Sequence, residues 1–187
     1  MFVISGPSGS GKSTLSREAV RRTGASLSLS ATTRTPGQTE VDGVDYTFLS
    51  KEEFIEKINQ NEFLEYAEVF GHYYGTPAPQ VRQKLQSAQT VVLEIDVQGA
   101  RQVFSHYPKA IGILVLPPSP QELERRLSLR GRDDTETMQK RLQKAQWEID
   151  QAKVDEHFKY TIVNDDLEQA LEELGAIIGS QDEIMKQ

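Results

Sequence analysis

The sequence has no cysteine among its 187 residues and no long apolar run. The missing cysteines exclude disulfide bonds, thiolate metal sites and cysteine nucleophiles. The longest apolar stretch, residues 110–116 (AIGILVL), is far too short to cross a bilayer, and no basic signal-peptide segment follows Met1. No Asn-x-Ser/Thr acceptor for glycosylation occurs. Together these absences predict a cytoplasmic protein.

The chain also lacks a net positive charge, since its formal charge is −7. That value argues against general nucleic-acid binding, which depends on clustered lysines and arginines. The charge is unevenly distributed: residues 121–144 contain seven Lys/Arg and five Asp/Glu, so this basic segment is +2 and the remainder is −9. Taken alone, the basic segment is either a solvated helix face or a place where anions dock.

One glycine-rich motif carries most of the chemical information. The pattern G-x-x-x-x-G-K-[ST] runs from Gly6 to Ser13, after an apolar run at residues 2–5 and before helical periodicity at residues 12–23. Glycines let successive N–H groups turn toward phosphate oxygens, Lys12 reaches the β and γ phosphates, and the Ser13 hydroxyl ligates Mg²⁺. The motif therefore predicts a nucleoside triphosphate site. Its residues are Gly6, Pro7, Ser8, Gly9, Ser10, Gly11, Lys12, Ser13 and Thr14.

Apolar runs alternate with helical periodicity along most of the chain. Strands that are apolar throughout and separated by helices are typical of a parallel sheet with helices on both faces. The sequence thus predicts an α/β fold. Strands are predicted at residues 90–96, 110–116 and 160–164, and helices at residues 98–105, 120–129, 135–154 and 167–178.

A more polar segment interrupts this alternation. It contains predicted short strands at residues 28–33 and 46–49, a helix that begins at Ser50 with a capping box to Glu53, and an alternating hairpin at residues 62–75. We expect this segment to form a small mixed α/β lobe inserted into the core.

Several segments, in this order, resemble the guanylate kinases: ISGPSGSGKSTL, SATTRTP, GVDYTFLS, NEFLEYAEVFGHYYGTP, LEIDVQGA and TIVNDDLEQAL. The P-loop is shared by many families, but TTR, EFLEYAEVFGHYYGT and DVQG together are specific, and the likeness extends from Ile4 to about Leu174. The resemblance implies transfer of the γ-phosphoryl group of ATP to GMP, giving ADP and GDP. It also implies one domain with three parts. These are a core (residues 1–29, 81–120 and 146–187), a GMP-binding lobe (about 30–80) and a helical, arginine-rich lid (about 121–145).

The resemblance assigns roles to individual side chains in the lobe. Arg34 offers a planar fork for a phosphate and, by resemblance, contacts the GMP phosphate together with the phenols of Tyr46 and Tyr74. Glu65 lies where a carboxylate accepts two hydrogen bonds from guanine N1–H and the exocyclic amine, a donor pair that adenine lacks. The implied substrate-binding residues are Ser30, Arg34, Tyr46, Glu65, Tyr74, Thr76 and Asp96.

The implied catalytic residues stabilise the transferred charge. Asn164 matches a position beside the adenine of ATP. Asp96 ends the apolar strand at residues 90–96, so it is either a partner of Ser13 in orienting Mg²⁺ or an incidental acid at a strand end. The implied catalytic residues are Lys12, Arg34, Arg126, Arg130 and Arg141. The expected small molecules are ATP, GMP and Mg²⁺, with no nucleic-acid or membrane partner, and the oligomeric state stays open.

Two other functions remain as alternatives: a related P-loop kinase acting on a sugar phosphate, and a non-catalytic guanylate kinase-like binding module. The segment around Glu65 argues against the first, and the intact Lys12 and Ser13 argue against the second. One departure from the family pattern stands out. Guanylate kinases usually read TTRxPRxGE, whereas this chain reads TTRTPGQTE, with Gly37 in place of a second arginine. The departure predicts an active enzyme with a comparatively high KM for GMP.

Overall fold

The computed structural model describes residues 1–129 and 135–184. No helix within these two ranges is both long enough and apolar enough to span a membrane. In chain order the elements are β1 (Phe2–Ser5), α1 (Lys12–Thr23), β2 (Ser26–Leu27), β3 (Ala31–Thr32), β4 (Thr47–Phe48), α2 (Lys51–Asn59), β5 (Phe63–Val69), β6 (His72–Pro77), α3 (Ala78–Gln86), β7 (Val91–Glu94), α4 (Val97–His106), β8 (Ile111–Leu116), α5 (Pro120–Leu129), α6 (Thr135–Lys153), β9 (Phe158–Val163) and α7 (Leu167–Ile184).

A five-stranded parallel sheet, in the order β2-β7-β1-β8-β9, forms the centre of the molecule. On one face, α1 and α7 bury Leu15 and Leu174 against Ile4 and its neighbours. On the other face, α3 and α4 pack against Val3 and the adjacent strand β7. The structure therefore confirms the predicted α/β fold with helices on both faces.

A second, mixed sheet has the order β4-β3-β6-β5, and only β3 and β4 run parallel in it. Helix α2 covers this sheet and begins with the predicted capping box, in which Ser50 Oγ accepts from the Glu53 N–H and the Glu53 carboxylate accepts from the Ser50 N–H. The side chain of Phe54 is fully buried and stacks on Phe63 and Tyr73 at centroid distances of 4.3 and 5.4 Å.

The predicted strand at residues 28–33 is wrong in detail, because the chain leaves one sheet and enters the other within this stretch. The Ser28 N–H donates to Val92 O (2.9 Å), as the last bond to the parallel sheet, and Ser30 O accepts from the Thr47 N–H (2.9 Å), as the first bond of the mixed sheet. The extended segment is therefore split into β2 and β3. The hairpin also reaches Pro77, two residues beyond its predicted end, which places Thr76 opposite Glu65.

The stacked aromatic core of the mixed sheet gives a stability prediction. Replacing Phe54 by Ala removes a fully buried ring, and we expect it to lower the free energy of unfolding by about 3–5 kcal/mol. The matched control is Ile55→Ala on the same helix, where the side chain is 39% exposed and the loss should be about 1 kcal/mol. Urea unfolding followed by circular dichroism measures both values. Equal losses in the two variants would contradict the assignment of Phe54 to the core.

Candidate active site

The glycine-rich loop connects the carboxyl end of β1 to the start of α1. Strand β1 lies between β7 and β8 in the sheet. The backbone of the loop leaves no room for side chains at two glycines. A Cβ on Gly6 would lie 2.2 Å from Val115 O, and a Cβ on Gly11 would lie 2.1 Å from Asn164 Nδ2. Both glycines also have positive φ angles, of 142° and 91°. The loop is thus shaped by close packing at its base, and its N–H groups precede a helix N-terminus, where anions bind.

Lys12 lies across the loop, as its Nζ donates to Gly6 O (2.6 Å) and Pro7 O (2.9 Å). The buried side chain of Asn164 holds the loop from behind, with Nδ2 donating to Ser10 O (2.8 Å). Arg126 joins the same arrangement, because its Nη2 donates to Asn164 O (3.0 Å). Asn164 therefore contacts the glycine-rich loop directly, and Arg126 contacts Asn164.

A carboxylate that the sequence reasoning missed, Glu94, contacts the predicted Mg²⁺ ligand. Ser13 Oγ donates to Glu94 Oε1 at 2.5 Å. Asp96, the predicted partner of Ser13, instead caps α4, with Oδ1 accepting from the Gly99 N–H (2.9 Å), and lies 3.4 Å from Lys144 Nζ. The signal for Glu94 was present in the sequence, since LEID carries two acids two residues apart at the end of a strand.

The residues predicted to hold the GMP phosphate form one cluster. The Arg34 guanidinium lies 5.5 Å from the centroid of the Tyr46 ring, which meets the Tyr74 ring edge-on at 6.2 Å. Burial raises the pKa of Tyr46 to about 12, so its phenol is a hydrogen-bond donor at neutral pH. Sequence reasoning missed Glu40, which accepts from Arg34 Nη1 (2.8 Å) and Nη2 (2.9 Å) and raises the pKa of Arg34 further above its usual value. The N–H of Gly37 donates to the same carboxylate at 2.5 Å.

Glu65 is a buried carboxylate, with 5% of its surface exposed. Its Oε1 accepts from Thr76 Oγ1 at 2.7 Å, and Thr76 is itself fully buried. Burial raises the pKa of Glu65 to about 7, the Thr76 hydrogen bond opposes that shift, and the nearby negative charge of Asp96 adds to it. The side chain is therefore poised near its titration point at neutral pH, as buried carboxylates in binding sites often are.

Helix α6 brings cations to the tip of the β5–β6 hairpin. Arg141 Cζ and Lys144 Nζ lie 5.0 and 5.6 Å from the centroid of the Phe70 ring, within the range of cation–π attraction. Lys144 also lies 3.5 Å from Glu148, whose pKa is raised by burial. Arg130, the remaining predicted lid arginine, lies outside the described residues.

These groups surround a cavity of about 1060 Å³. Its size matches the upper end of the range for ligand pockets. Among the described residues, most of the predicted site residues line it. The exceptions are Pro7, Ser10, Thr76, Arg126 and Asn164. Thr76 is hydrogen-bonded to Glu65, which does line the cavity, and Pro7 supplies a carbonyl to Lys12, which also lines it. Ser10, Asn164 and Arg126 are linked to one another by the hydrogen bonds described above.

A family model described as guanylate kinase matches residues 1–181. The chain belongs to the guanylate kinase family. It is 49% identical over 181 residues to a guanylate kinase of Neisseria meningitidis serogroup A, covering 96% of this chain and 87% of the relative. It is also 51% identical over 172 residues to a guanylate kinase of Thermosynechococcus vestitus, covering 91% and 88%. These findings confirm the resemblance inferred from the motifs and the family activity that it implied, ATP-dependent phosphorylation of GMP.

Solved structures agree with this assignment. A guanylate kinase from Anaplasma phagocytophilum superposes with a TM-score of 0.80 at 30% identity, covering 97% of this chain and 85% of that one. A gluconokinase from Sinorhizobium meliloti 1021 has a TM-score of 0.54 at 16% identity, covering 99% and 94%. The second likeness shows a common fold alone.

The raised pKa of Glu65 predicts a pH-dependent stability. The unfolded chain loses this proton near pH 4.5, whereas the folded protein retains it up to about pH 7. Between those values the unfolded chain is ionised and the folded protein is not, so rising pH favours the unfolded state and the stability of the folded protein falls. Glu65→Gln removes this titration. Relative to the unmutated protein, the variant should gain about 2–3 kcal/mol in free energy of unfolding between roughly pH 5 and pH 8.

Urea titrations of both proteins at the two pH values measure this gain. Glu148 and the other titrating groups are common to both proteins and cancel in the difference. A stability difference that stays constant with pH would show that Glu65 ionises at its ordinary pKa.

Proposed function

We propose that this enzyme of the guanylate kinase family phosphorylates GMP in the cavity described above, with ATP on the glycine-rich loop and GMP against the mixed sheet. One observation supports this assignment of residues: a single cavity is lined by both sets of side chains. The glycine-rich loop contributes Lys12 and Ser13, and the mixed sheet and its loops contribute Glu65 and the Arg34 cluster (Arg34, Tyr46 and Tyr74). Two nucleotides bound there face each other through their phosphates. ATP and GMP are cytoplasmic metabolites, so the proposal includes a cytoplasmic location.

The mixed sheet supplies the recognition of GMP. The ionised Glu65 accepts two hydrogen bonds, from guanine N1–H and from the exocyclic amine, while Thr76 holds Oε1 from behind. Adenine presents no such donor pair, and leaving a buried carboxylate unpaired costs about 1–3 kcal/mol or more. Ser30 and Asp96 complete the base site in this proposal. Arg34, Tyr46 and Tyr74 donate hydrogen bonds to the phosphate.

Transfer of the γ-phosphoryl group requires positioning of the two substrates and neutralisation of their charge more than it requires proton transfer. An oxygen of the GMP phosphate forms a bond to the γ-phosphorus, and the bond between that phosphorus and the β–γ bridging oxygen breaks to release ADP. Lys12 leaves the carbonyls of Gly6 and Pro7 and stabilises the β and γ phosphates. Arg126 and Arg141 add positive charge that offsets the charge on the transferred group. Arg130, which lies outside the described residues, is assigned the same role by its place in the sequence.

The donor set beside the loop fits Mg²⁺. The Ser13 hydroxyl and the Glu94 carboxylate are hard oxygen ligands, already adjacent at 2.5 Å, and Asp96 lines the same cavity. Within the described residues, no group of three or more His, Cys, Asp or Glu could hold a metal by itself. Mg²⁺ commonly takes only one or two protein ligands and completes its shell with phosphates and water. Bound with ATP, the ion neutralises charge on the β and γ phosphates.

A coupled assay with ATP and GMP tests the proposal, and Lys12→Ala is the decisive variant. Because Lys12 stabilises transferred charge and lies on the surface of the loop, the variant should lose at least about 10²-fold in kcat while its circular dichroism spectrum stays unchanged. Unaltered turnover in the variant would refute the role of Lys12. Transfer to sugar phosphates but not to GMP, or no transfer at all, would favour one of the two alternative functions.

Gly37 gives a further prediction about the phosphate cluster. Its φ angle is not positive, so a side chain there is not strained by a left-handed backbone. Its N–H donates to the Glu40 carboxylate, which also binds Arg34, at an N···O distance of 2.5 Å. An arginine here adds a second charge-assisted contact to the GMP phosphate, worth roughly 1.5–3 kcal/mol. We expect Gly37→Arg to lower the KM for GMP by about tenfold or more and to leave the KM for ATP unchanged.

The control for that variant is Gln38→Arg, which adds the same charge to the exposed neighbouring residue. It should change the KM for GMP little. If both variants lower the KM equally, long-range attraction explains the effect; if neither does, the missing contact is supplied by another residue.

A further inference from the structure

We propose that Gly99, in the first turn of α4, positions the carboxylate of Glu65 for guanine, and that the lack of a side chain at residue 99 is a determinant of base selectivity. The inference rests on the proposed role of Glu65 as the guanine-reading residue. Gly99 touches no substrate in this proposal and acts through Glu65.

The space at Gly99 is occupied by the carboxyl group of Glu65. A Cβ built on Gly99 would lie 2.4 Å from Glu65 Oε2 and 2.9 Å from Glu65 Cδ. Gly99 is buried and has no positive φ, so backbone conformation does not demand glycine there. Glycine is required at residue 99 because the Glu65 carboxylate approaches its Cα so closely.

The carboxylate has little freedom to move aside without changing the site. Its Oε1 is held by Thr76 Oγ1 at 2.7 Å, and only 5% of Glu65 is exposed. Rotation away from a new Cβ would therefore lengthen or break the Thr76 bond. Since Oε2 is the end of a flexible side chain, the displacement costs the fold little while it moves one of the two acceptors that guanine requires.

Helix α4 cannot simply retreat from the sheet instead. The carboxamide of Gln102 is bound to the backbone of Tyr66 on both sides, with Nε2 donating to Tyr66 O (2.8 Å) and Oε1 accepting from the Tyr66 N–H (3.3 Å). Tyr66 directly follows Glu65 in β5, so this pair of hydrogen bonds fixes the distance between the helix and the strand at the site. The adjustment to any side chain at residue 99 falls on Glu65.

The same turn also fixes the second carboxylate of the base site. The Gly99 N–H donates to Asp96 Oδ1 at 2.9 Å. Residue 99 contributes only its backbone N–H to this bond, which therefore survives replacement of Gly99 by Ala, so such a variant displaces Glu65 and leaves Asp96 in place. Alanine also favours a helix over glycine, which makes a folding defect at this position unexpected.

The experiment compares Gly99→Ala with Gly175→Ala, the same substitution in α7, where a new Cβ meets nothing within 4 Å. Steady-state kinetics are measured with ATP and with GMP or IMP, which lacks the exocyclic amine. Gly99→Ala should raise the KM for GMP by about tenfold or more, lower the preference for GMP over IMP, and leave the KM for ATP within about twofold. Gly175→Ala should leave all three quantities unchanged.

A second measurement tests whether the effect passes through Glu65. Glu65→Asp shortens the side chain by one methylene and withdraws the carboxylate from residue 99, so it should relieve the clash in the double variant. The combined loss in kcat/KM for GMP should be smaller than the product of the two single losses. Multiplicative losses would overturn the inference, as would an unchanged GMP preference in Gly99→Ala or a parallel rise in both KM values.

Glu65→Gln separates this inference from the proposed function. If Glu65→Gln keeps the unmutated preference for GMP over IMP, the guanine-reading role of Glu65 fails. If Glu65→Gln loses that preference and Gly99→Ala keeps it, only the role of Gly99 fails.

Discussion

The parallel pairing of β1 with β7 is the constraint on which the rest of the site depends. In this register Ile4 lies opposite Glu94, and the Ile95 N–H donates to Ile4 O at 3.2 Å. The chain leaves β1 as the glycine-rich loop and leaves β7 as the capped start of α4. Since parallel strands end at one edge of a sheet, the glycine-rich loop is brought together there with Glu94, at the end of β7, and Asp96, which follows it. The mixed sheet then adds Glu65 and the Arg34 cluster across the same cavity.

Several charged groups of this cavity have partners within the chain. Arg34 is bound by Glu40, Lys144 lies between Asp96 and Glu148, and Lys12 donates to loop carbonyls. In the proposed function, a nucleotide phosphate replaces these partners and does not merely fill an empty positive site. Binding is therefore an exchange of hydrogen bonds, and its net free energy is much smaller than the attraction between an arginine and a phosphate in isolation. On this proposal, the exchange also links substrate binding to rearrangement of the side chains of Arg34, Lys144 and Lys12.

The proposed role of Glu65 connects burial to base selectivity. A carboxylate in this position is costly to ionise, as its raised pKa indicates. A base with two donors in the right places offsets that cost, whereas a base without them leaves the charge unsatisfied. Thr76 and the first turn of α4 contact the carboxylate from two sides, so in the proposed function its two acceptor oxygens are positioned before guanine binds. On this proposal, selectivity depends on the neighbours of Glu65 as well as on its charge.

Local patterns in the sequence were sufficient to predict the glycine-rich loop between a strand and a helix, the alternation of buried strands and helices, the capping box at Ser50 and the hairpin. Each depends on residues close together in the chain, through helical or strand periodicity, capping and turn geometry. The split of residues 26–32 between two sheets, the contact of Ser13 with Glu94, the capture of Arg34 by Glu40 and the packing of Glu65 on Gly99 were not predicted. Three of these depend on distant segments; Ser13 and Glu94, for example, are 81 residues apart. The fourth, Arg34 with Glu40, lies within one turn-rich segment that has no periodicity to fix its course.

Sequence alone therefore determined which chemical groups this protein carries and the local elements that hold them. Only the tertiary structure decided which of these groups meet, because strand register and helix packing set distances that no local pattern encodes.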